Sequence, residues 1–227
     1  MGLLRDPRLE ALLDRLHARS AAQNDALSSY FAARAREGTL DWGRFEERDD
    51  RFLRDKLVAL DRDKAELCYQ LCRALRARRV VEAGTSFGIS TLYLAAAVRD
   101  NLREDGGDGV VIATEYEPEK AKAARGHFAE AGLSDLVDLR EGDLRETLRE
   151  IAGPVDFALV DIWTPLARPA LERVAPHLRP GAIVAADNTT QFRDAYRDYF
   201  DFVHDPANRL RTLTLPFEGG FELTVRC

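Results

Sequence analysis

From Arg79 onward, short runs rich in β-branched residues alternate with amphipathic helical stretches, and this alternation limits the possible folds more than any other feature. The β-like runs are VVEAG, GVVIATE, LVDLREG, VDFALVD and AIVAAD, and stretches such as PEKAKAARGHFAEAG and LARPALERVAPHLRPG separate them. Because parallel strands need a crossover connection, usually a helix, the pattern predicts a parallel sheet covered by helices on both faces.

The C-terminal end of the sequence breaks this alternation. One more helix is predicted over about Gln191 to Val203, and two β-like runs, RLRTLTLP and FELTVR, then follow with only FEGG between them. A connection this short, with two glycines, permits an antiparallel hairpin and excludes a parallel crossover. The sequence therefore predicts a doubly wound α/β sheet whose last strand is antiparallel.

Residues 1–78 show no convincing strand pattern and are predicted to form three or four helices. We treat residues 1–78 as a helical extension, serving as a cap or in dimerisation, of the same domain whose core is residues 79–227. Apolar residues recur at helical spacing on the first two helices: Leu9, Leu12, Leu13, Leu16, Leu27, Tyr30 and Phe31. They exceed what an accessory layer needs, so we predict a homodimer that uses them. The alternative is that they cover a ligand cleft.

Composition narrows the class of protein. With 32% charged residues and a mean hydropathy of −0.32, no apolar stretch is long enough to cross a bilayer, and the N-terminus lacks a secretion pattern, so we expect a cytoplasmic protein. A net charge of −6 without clustered lysine or arginine argues against nucleic acid as a partner. Three cysteines, an odd number, favour reduced thiols.

The first β-like run leads into a glycine turn, Gly84-Thr85-Ser86-Phe87-Gly88, and then into a helix. This arrangement directs backbone N–H groups and a helix N-terminus toward a ligand. A dinucleotide fingerprint starting at Gly84 would need glycines where Ser86 and Ile89 stand, and the sequence contains no Gly-Lys-Ser/Thr of a phosphate loop. NAD and ATP are therefore not favoured, and an ordinary strand-to-helix turn is the alternative.

Acidic residues follow the second and third β-like runs. Glu115, with Tyr116 after it, ends the second run, and Glu141-Gly142-Asp143 ends the third. In a doubly wound sheet, an acid after the second strand lies beside the glycine turn and can accept both ribose hydroxyls of a nucleoside. The third group can present a carboxylate to an adenine amino group. Each acid taken singly could instead be a solvated helix cap.

Two carboxylates and an amide follow the fourth and fifth runs. These residues are Asp161 and the pair Asp187-Asn188. Because strands four and five are neighbours in such a sheet, their ends bring the three side chains together on the ligand side. All three are hard oxygen ligands, suited to Mg²⁺, Ca²⁺ or Mn²⁺ and poorly suited to zinc or copper. The alternative for each aspartate is a helix N-cap.

Together these motifs resemble class I S-adenosylmethionine-dependent O-methyltransferases, in particular the small metal-dependent group of catechol and caffeoyl-CoA O-methyltransferases. The resemblance is carried by VVEAGTSFGIS, Glu115, Glu141-Gly142-Asp143, Asp161-Ile162-Trp163 and Ala186-Asp187-Asn188, and it runs from about Val58 to the C-terminus. It implies a Rossmann-like sheet in the order 3-2-1-4-5-7-6 and S-adenosyl-L-methionine as cofactor. The cofactor-binding residues that it implies are Val58, Glu82, Gly84, Thr85, Ser86, Gly88, Ser90, Glu115, Tyr116, Gly142, Asp143, Asp161 and Trp163.

The resemblance also implies that Asp161, Asp187 and Asn188 are catalytic and hold a divalent cation, with Mg²⁺ expected. In the metal-dependent group the strand-four motif commonly reads Asp-x-x-Lys, with the lysine as general base, whereas Thr164 stands at that position here. A threonine hydroxyl cannot take a proton from the acceptor at neutral pH. Either the metal alone acidifies the acceptor, or another group is the base, or the activity has changed.

The sequence therefore predicts methyl transfer from S-adenosylmethionine to a hydroxyl, phenolic or catechol-like, of a small molecule with the help of a divalent metal. Two alternatives stay open. One is a metal-independent methyltransferase acting on an amine or a carboxylate, in which both aspartates are structural. The other is a non-catalytic module that binds S-adenosylmethionine and contacts partners through residues 1–78.

Overall fold

A seven-stranded sheet in the order β3-β2-β1-β4-β5-β7-β6 forms the centre of the computed structural model, which describes residues 2–44 and 46–227. Its strands are β1 (Arg79–Ala83), β2 (Val110–Glu115), β3 (Val137–Glu141), β4 (Val155–Val160), β5 (Leu178–Asp187), β6 (Leu210–Leu215) and β7 (Phe221–Arg226). β7 lies antiparallel between β5 and β6, and the other neighbours pair in parallel. The predicted strand order and antiparallel last strand are confirmed.

The register of the parallel strands brings their carboxyl ends to one edge of the sheet. Ala83, the last residue of β1, pairs with Thr114 of β2 on one side and with Val160 of β4 on the other. The residues that follow these strands, and Asp187 at the end of β5, therefore share one edge, where open parallel sheets bind their ligands.

Helices cover both faces of the sheet. In the described part of the chain they are α1 (Pro7–Ala21), α2 (Asn24–Arg36), α3 (Glu47–Leu53), α4 (Arg62–Ala74), α5 (Ile89–Asp105), α6 (Pro118–Ala131), α7 (Leu144–Thr147), α8 (Thr164–Val174) and α9 (Arg197–His204). Successive strand residues point to opposite faces, so Val80 packs in the hydrophobic cluster with α1, α4, α5 and α6, whereas Val81 packs in the cluster with α7, α8 and α9. No helix among the described residues has the length and apolar character that a membrane span requires.

The apolar residues that suggested a homodimer are used within the chain. The four leucines of α1, Leu9, Leu12, Leu13 and Leu16, are at most 3% exposed and belong to the same cluster as α5 and α6. On α2, Tyr30 stacks on Phe52 at 3.7 Å between ring centroids. The surplus of exposed apolar surface is therefore absent on α1, and the homodimer stays a prediction without that support.

The segment before α9 differs from the predicted helix over Gln191 to Val203. Residues 189–196 form turns, and α9 begins at Arg197. The backbone N–H groups of Thr190 and Gln191 donate to the carbonyl of Gly219, at 2.9 and 2.8 Å, in the loop of the hairpin. These two hydrogen bonds hold the segment against the hairpin loop as turns, and the helix begins only after it.

Replacing Leu12 by alanine should lower the free energy of unfolding by about 3 kcal/mol, the usual size for a buried leucine that leaves a cavity. Leu12 is 1% exposed and lies in the hydrophobic cluster that α1 shares with α5 and α6. Urea unfolding at equilibrium measures the change. The matched control is Leu213→Ala on β6, where the side chain is 62% exposed and the expected change is within about 0.5 kcal/mol. Equal effects of the two substitutions would contradict the packing of α1 into the core.

Candidate active site

A cavity of about 920 Å³ opens at the carboxyl edge of the sheet, between the strand ends and the segment that connects α3 to α4. Most of the residues predicted from the sequence line it: Val58, Gly84, Thr85, Ser86, Ser90, Glu115, Tyr116, Gly142, Asp143, Asp161, Trp163, Asp187 and Asn188. Glu82 and Gly88 are not part of its wall. The structure thus brings the proposed cofactor, catalytic and metal residues to one cavity, and their individual roles stay predictions.

Gly84 fits its position because a side chain would collide with β4. Its φ is +101°, and a Cβ atom at Gly84 would lie 1.9 Å from the carbonyl oxygen of Asp161. The backbone N–H of Asp161 donates to the carbonyl of Ala83 at 3.0 Å. Only glycine permits this close approach of the turn to the end of β4. Glycine is needed at position 88 for a different reason, since a Cβ atom there would lie 2.6 Å from the Phe128 ring of α6.

Glu115 fastens the glycine turn to the end of β2. One carboxylate oxygen, Oε2, accepts from the backbone N–H of Ser86 at 2.7 Å, and Oε1 accepts from the N–H of Glu117 at 2.8 Å. Ser86 holds a left-handed backbone conformation with φ of 49°. A carboxylate has about four acceptor sites, so Glu115 retains capacity for hydroxyl groups in the cavity it lines.

Glu82 lies behind the turn, fully buried, and not in the cavity wall. Its Oε2 accepts from the hydroxyl of Thr85 at 2.9 Å and from that of Thr91. Burial raises the pKa of Glu82 to about 7, although the hydroxyls of Thr91, Ser90 and Thr85 favour the charged form. Glu82 therefore supports the turn from within, and its predicted contact with a cofactor is not visible in the wall of the cavity.

Asp161, Asp187 and Asn188 line the cavity at the ends of β4 and β5. Burial raises the pKa of Asp161 well above its usual range, and the neighbouring carboxylates of Asp187 and Glu82 raise it further. The Asn188 backbone is left-handed with φ of 58°, and its amide Nδ2 donates to Asp187 Oδ2 at 3.1 Å. Two close carboxylates that raise the pKa of Asp161 form an environment that attracts a cation.

The donor set fits a hard divalent cation. Among the described residues, no group of three or more His, Cys, Asp or Glu side chains could hold a metal ion, so a metal here would need the amide of Asn188 as its third protein donor. Two carboxylates and an amide oxygen match the preference of Mg²⁺ and Mn²⁺. The cation would also relieve the repulsion that Asp187 exerts on Asp161.

Lys64 is a buried charged residue beside the predicted catalytic residues, and the sequence interpretation did not pair it with Asp187. Its side chain is 1% exposed, and Nζ lies 2.8 Å from Asp187 Oδ1 and 2.8 Å from Asp61 Oδ2. The sequence contained a signal, since Lys64, Cys68 and Cys72 stand four residues apart on the buried face of α4. A lysine on the apolar stripe of a helix indicates a buried partner of opposite charge.

Thr164, at the position of the family lysine, connects the strand-four motif to the N-terminal helices. It is buried, and its hydroxyl donates to the backbone carbonyl of Trp42. The Trp42 ring lies 4.3 Å from the Phe192 ring and 4.8 Å from the Phe31 ring, between centroids. Trp42, Phe192, Phe31 and Trp163 all line the cavity. The end of the cavity beside the carboxylates therefore has an aromatic wall.

The strand order and the glycine turn facing a carboxylate-lined cavity define a class I methyltransferase fold. The sequence profile described as a methyltransferase domain matches residues 81–189. Catechol O-methyltransferase of Mycobacterium tuberculosis is 32% identical over 132 residues, covering 58% of this chain and 57% of the relative. Caffeoyl-CoA O-methyltransferase 2 of Zea mays is 26% identical over 139 residues, covering 59% and 50%.

Solved structures agree with this assignment. The cofactor-bound crystal structure of Rv0187 from MTB superposes with a TM-score of 0.66 at 26% identity, covering 74% of this chain and 81% of that chain. The O-methyltransferase from Bacillus cereus in complex with SAH gives 0.65 at 22% identity, covering 74% and 83%, and shows the shared fold. Residues 81–189 are thus similar to a methyltransferase domain, and the chain is similar to O-methyltransferases of the catechol and caffeoyl-CoA kind. It spans a little over half the length of the first curated relatives that it matches.

Replacing Glu82 by glutamine should remove a dependence of stability on pH. The pKa of Glu82 rises from 4.5 to about 7 on folding, so between these pH values the folded protein holds a proton that the unfolded chain has released. Its contribution to stability therefore falls as pH rises through this window, by about 3 kcal/mol in total. We therefore compare the unfolding free energy of Glu82→Gln with that of the parent at each pH. Relative to the parent, the variant should be more stable at about pH 8 than at about pH 4.5, by about 3 kcal/mol.

Urea unfolding at both pH values measures the difference. The matched control is Glu119→Gln on α6, an exposed carboxylate that should follow the parent protein at both pH values. If the parent and the Glu82→Gln variant change in parallel between the two pH values, Glu82 does not carry the proton on folding.

Proposed function

We propose that this chain transfers the methyl group of S-adenosylmethionine to a hydroxyl of a small aromatic molecule. One observation carries the proposal: the glycine turn held by Glu115 and the Asp161–Asp187 pair lie in a single cavity. The first arrangement suits a nucleoside cofactor, and the second suits activation of a hydroxyl beside it. Relatives named catechol and caffeoyl-CoA O-methyltransferases, and the cofactor-bound Rv0187, support this assignment.

The cofactor would occupy the half of the cavity between the glycine turn and the ends of β2 and β3. Glu115 would accept the ribose hydroxyls, and Gly142 with Asp143 would border the adenine. Val58 and Tyr116 are 52% and 66% exposed although they line the cavity. Apolar side chains exposed inside a cavity are typical of a wall that a ligand covers.

The acceptor would occupy the half beside the carboxylates. Trp42, Phe192 and Trp163 provide a wall that suits a planar ring, because aromatic rings pack by offset or tilted stacking. Pro165 and Pro169 of α8 add rigid apolar surface to the same cavity. This wall supports an aromatic acceptor over an aliphatic one.

Methyl transfer is an in-line displacement at the sulfonium methyl, so the chain must align the acceptor oxygen and favour loss of its proton. Thr164 cannot take that proton, because its hydroxyl is engaged with the Trp42 carbonyl and is a poor base. Asp161, Asp187 and Asn188 would hold a divalent cation, whose Lewis acidity lowers the pKa of a bound phenol. The aromatic wall would keep water from the acceptor and hold its ring in place.

Glu115→Ala should weaken S-adenosylmethionine binding by about 2 kcal/mol, roughly 30-fold in Kd, because charge-assisted hydrogen bonds to two hydroxyls are lost. Isothermal titration calorimetry measures the affinity. The matched control is Glu141→Ala, since Glu141 pairs in register with Glu115 at the end of β3 but binds Arg125 outside the cavity. An affinity for Glu115→Ala equal to that of the control would refute the cofactor assignment.

Incubation with S-adenosylmethionine labelled at its methyl group and a panel of catechols, amines and carboxylic acids tests the reaction itself. We expect label in a methyl ether of a catechol, loss of transfer with a chelator, and recovery with Mg²⁺ or Mn²⁺. Asp187→Ala should also abolish transfer.

Two other results of the same experiment would decide against the proposal. Label in an amine or a carboxyl ester that survives exhaustive chelation, with Asp187→Ala nearly as active as the parent, would favour the metal-independent alternative. Tight cofactor binding without transfer to any compound in the panel would favour a binding module.

A further inference from the structure

A buried lysine stands behind the carboxylate pair of the candidate active site. Lys64 comes from the first turn of α4, is 1% exposed, and does not line the cavity. Its ammonium nitrogen lies 2.8 Å from Asp187 Oδ1, and Asp187 itself is 5% exposed. Burying a charged ammonium removes its hydration, which costs free energy, so such a group is buried only where carboxylates compensate its charge.

Lys64 has one partner inside the site and one at the surface. Asp61 Oδ2 lies 2.8 Å from the same ammonium nitrogen, but the side chain of Asp61 is 57% exposed and therefore well solvated. Water screens the charge of Asp61, so Asp61 stabilises the ammonium of Lys64 less than the buried Asp187 does. Asp187 is consequently the main counter-ion of Lys64, and Lys64 is the cation paired with Asp187 in the described part of the chain.

Both oxygens of Asp187 are engaged in this arrangement. Oδ1 is held by Lys64, and Oδ2 accepts from the amide of Asn188. A divalent cation that binds Asp187 would share that carboxylate with a fixed positive charge. Like charges on one buried carboxylate repel each other strongly, because burial reduces the screening of charge by water.

We propose that Lys64 is a positioning residue that acts through Asp187 and competes with a divalent cation for this carboxylate, so that it weakens metal binding and sets the concentration of metal that the site needs. The inference rests on the proposed O-methyl transfer, for which the cation is invoked. Lys64 does not itself line the cavity, so its effect is exerted through the charge and position of Asp187.

Binding of Mn²⁺ to the full chain, followed by the electron paramagnetic resonance signal of free Mn²⁺, tests the inference without any methyl acceptor. Lys64→Met keeps the length of the side chain and removes its charge, and we expect Mn²⁺ binding to tighten about tenfold or more. Lys64→Arg keeps the charge and should stay within about threefold of the parent. Lys122→Met, which removes an exposed lysine on α6, should leave the affinity unchanged.

A second substitution locates the effect. Adding Asp161→Asn to Lys64→Met should abolish the tightened binding, because Asp161 supplies the other carboxylate of the cavity. An Mn²⁺ affinity in Lys64→Met that equals or falls below that of the parent would overturn the inference, as would tightened binding that survives Asp161→Asn.

Lys64→Met leaves Asp187 buried without its cation, so its stability needs a separate measurement. Thermal unfolding should show a larger stabilisation by Mn²⁺ in Lys64→Met than in the parent, since a ligand that binds the folded state tightly raises its stability. If the variant is unfolded without metal, Mn²⁺ should restore its circular dichroism, and failure to do so also counts against the inference.

The outcome is separable from that of the proposed function. Tightened Mn²⁺ binding in Lys64→Met without methyl transfer to any hydroxyl by the parent would leave the role of Lys64 intact and refute O-methyl transfer. Methyl transfer by the parent with unchanged Mn²⁺ binding in the variant would do the reverse.

Discussion

The close approach of Gly84 to the end of β4 is the constraint on which the rest of the site depends. The backbone of the turn passes so near the carbonyl of Asp161 that a Cβ atom would lie 1.9 Å from it. This contact sets where β1 ends and where α5 starts. It also places the N–H of Ser86 at Glu115 and the side chain of Asp161 in the cavity. A side chain at Gly84 would force the two strand ends apart and change the cavity that lies at this edge of the sheet.

Two carboxylates at the carboxyl edge of the sheet, Glu82 and Asp187, are buried, and the chain compensates their charges in two different ways. Glu82 is surrounded by the hydroxyls of Thr85 and Thr91, and burial still raises its pKa to about 7. Asp187 instead has the ammonium of Lys64. Hydroxyls solvate a carboxylate without adding charge, whereas an ammonium changes the field of the whole cavity. The two arrangements therefore differ in the charge that they add beside the cavity.

The N-terminal segment before β1 contributes aromatic side chains to the wall of the cavity. Trp42 and Phe31 lie outside residues 81–189, the segment that matches the methyltransferase domain. A buried arginine, Arg34, fixes this region through ion pairs to Glu46 at 2.7 Å and Asp49 at 3.4 Å. Thr164 then joins it to α8 through the Trp42 carbonyl. The wall of the cavity is therefore built both from the matched domain and from residues that precede it.

The sequence by itself determined the sheet and most of the cavity wall. Alternating apolar runs fix which residues are strands, the lengths of the connections fix which strands are parallel, and residues after parallel strands must meet at one edge. Glu115, Asp161 and Asp187 could be placed together on these grounds alone. Such patterns are local, so each depends only on residues a few positions apart.

Only the tertiary structure decided the contacts between distant segments. Two such contacts depend on how α2–α4 dock against the sheet. One is the ion pair of Lys64 with Asp187, and the other is the hydrogen bond from Thr164 to Trp42, two residues that are 122 positions apart. The turns over residues 189–196 depend in the same way on the hairpin loop at Gly219. The amphipathic pattern of α1 showed that one face is buried but not whether a second chain or the sheet buries it. Docking is settled by the shape and charge of both surfaces at once, and no local pattern contains that information.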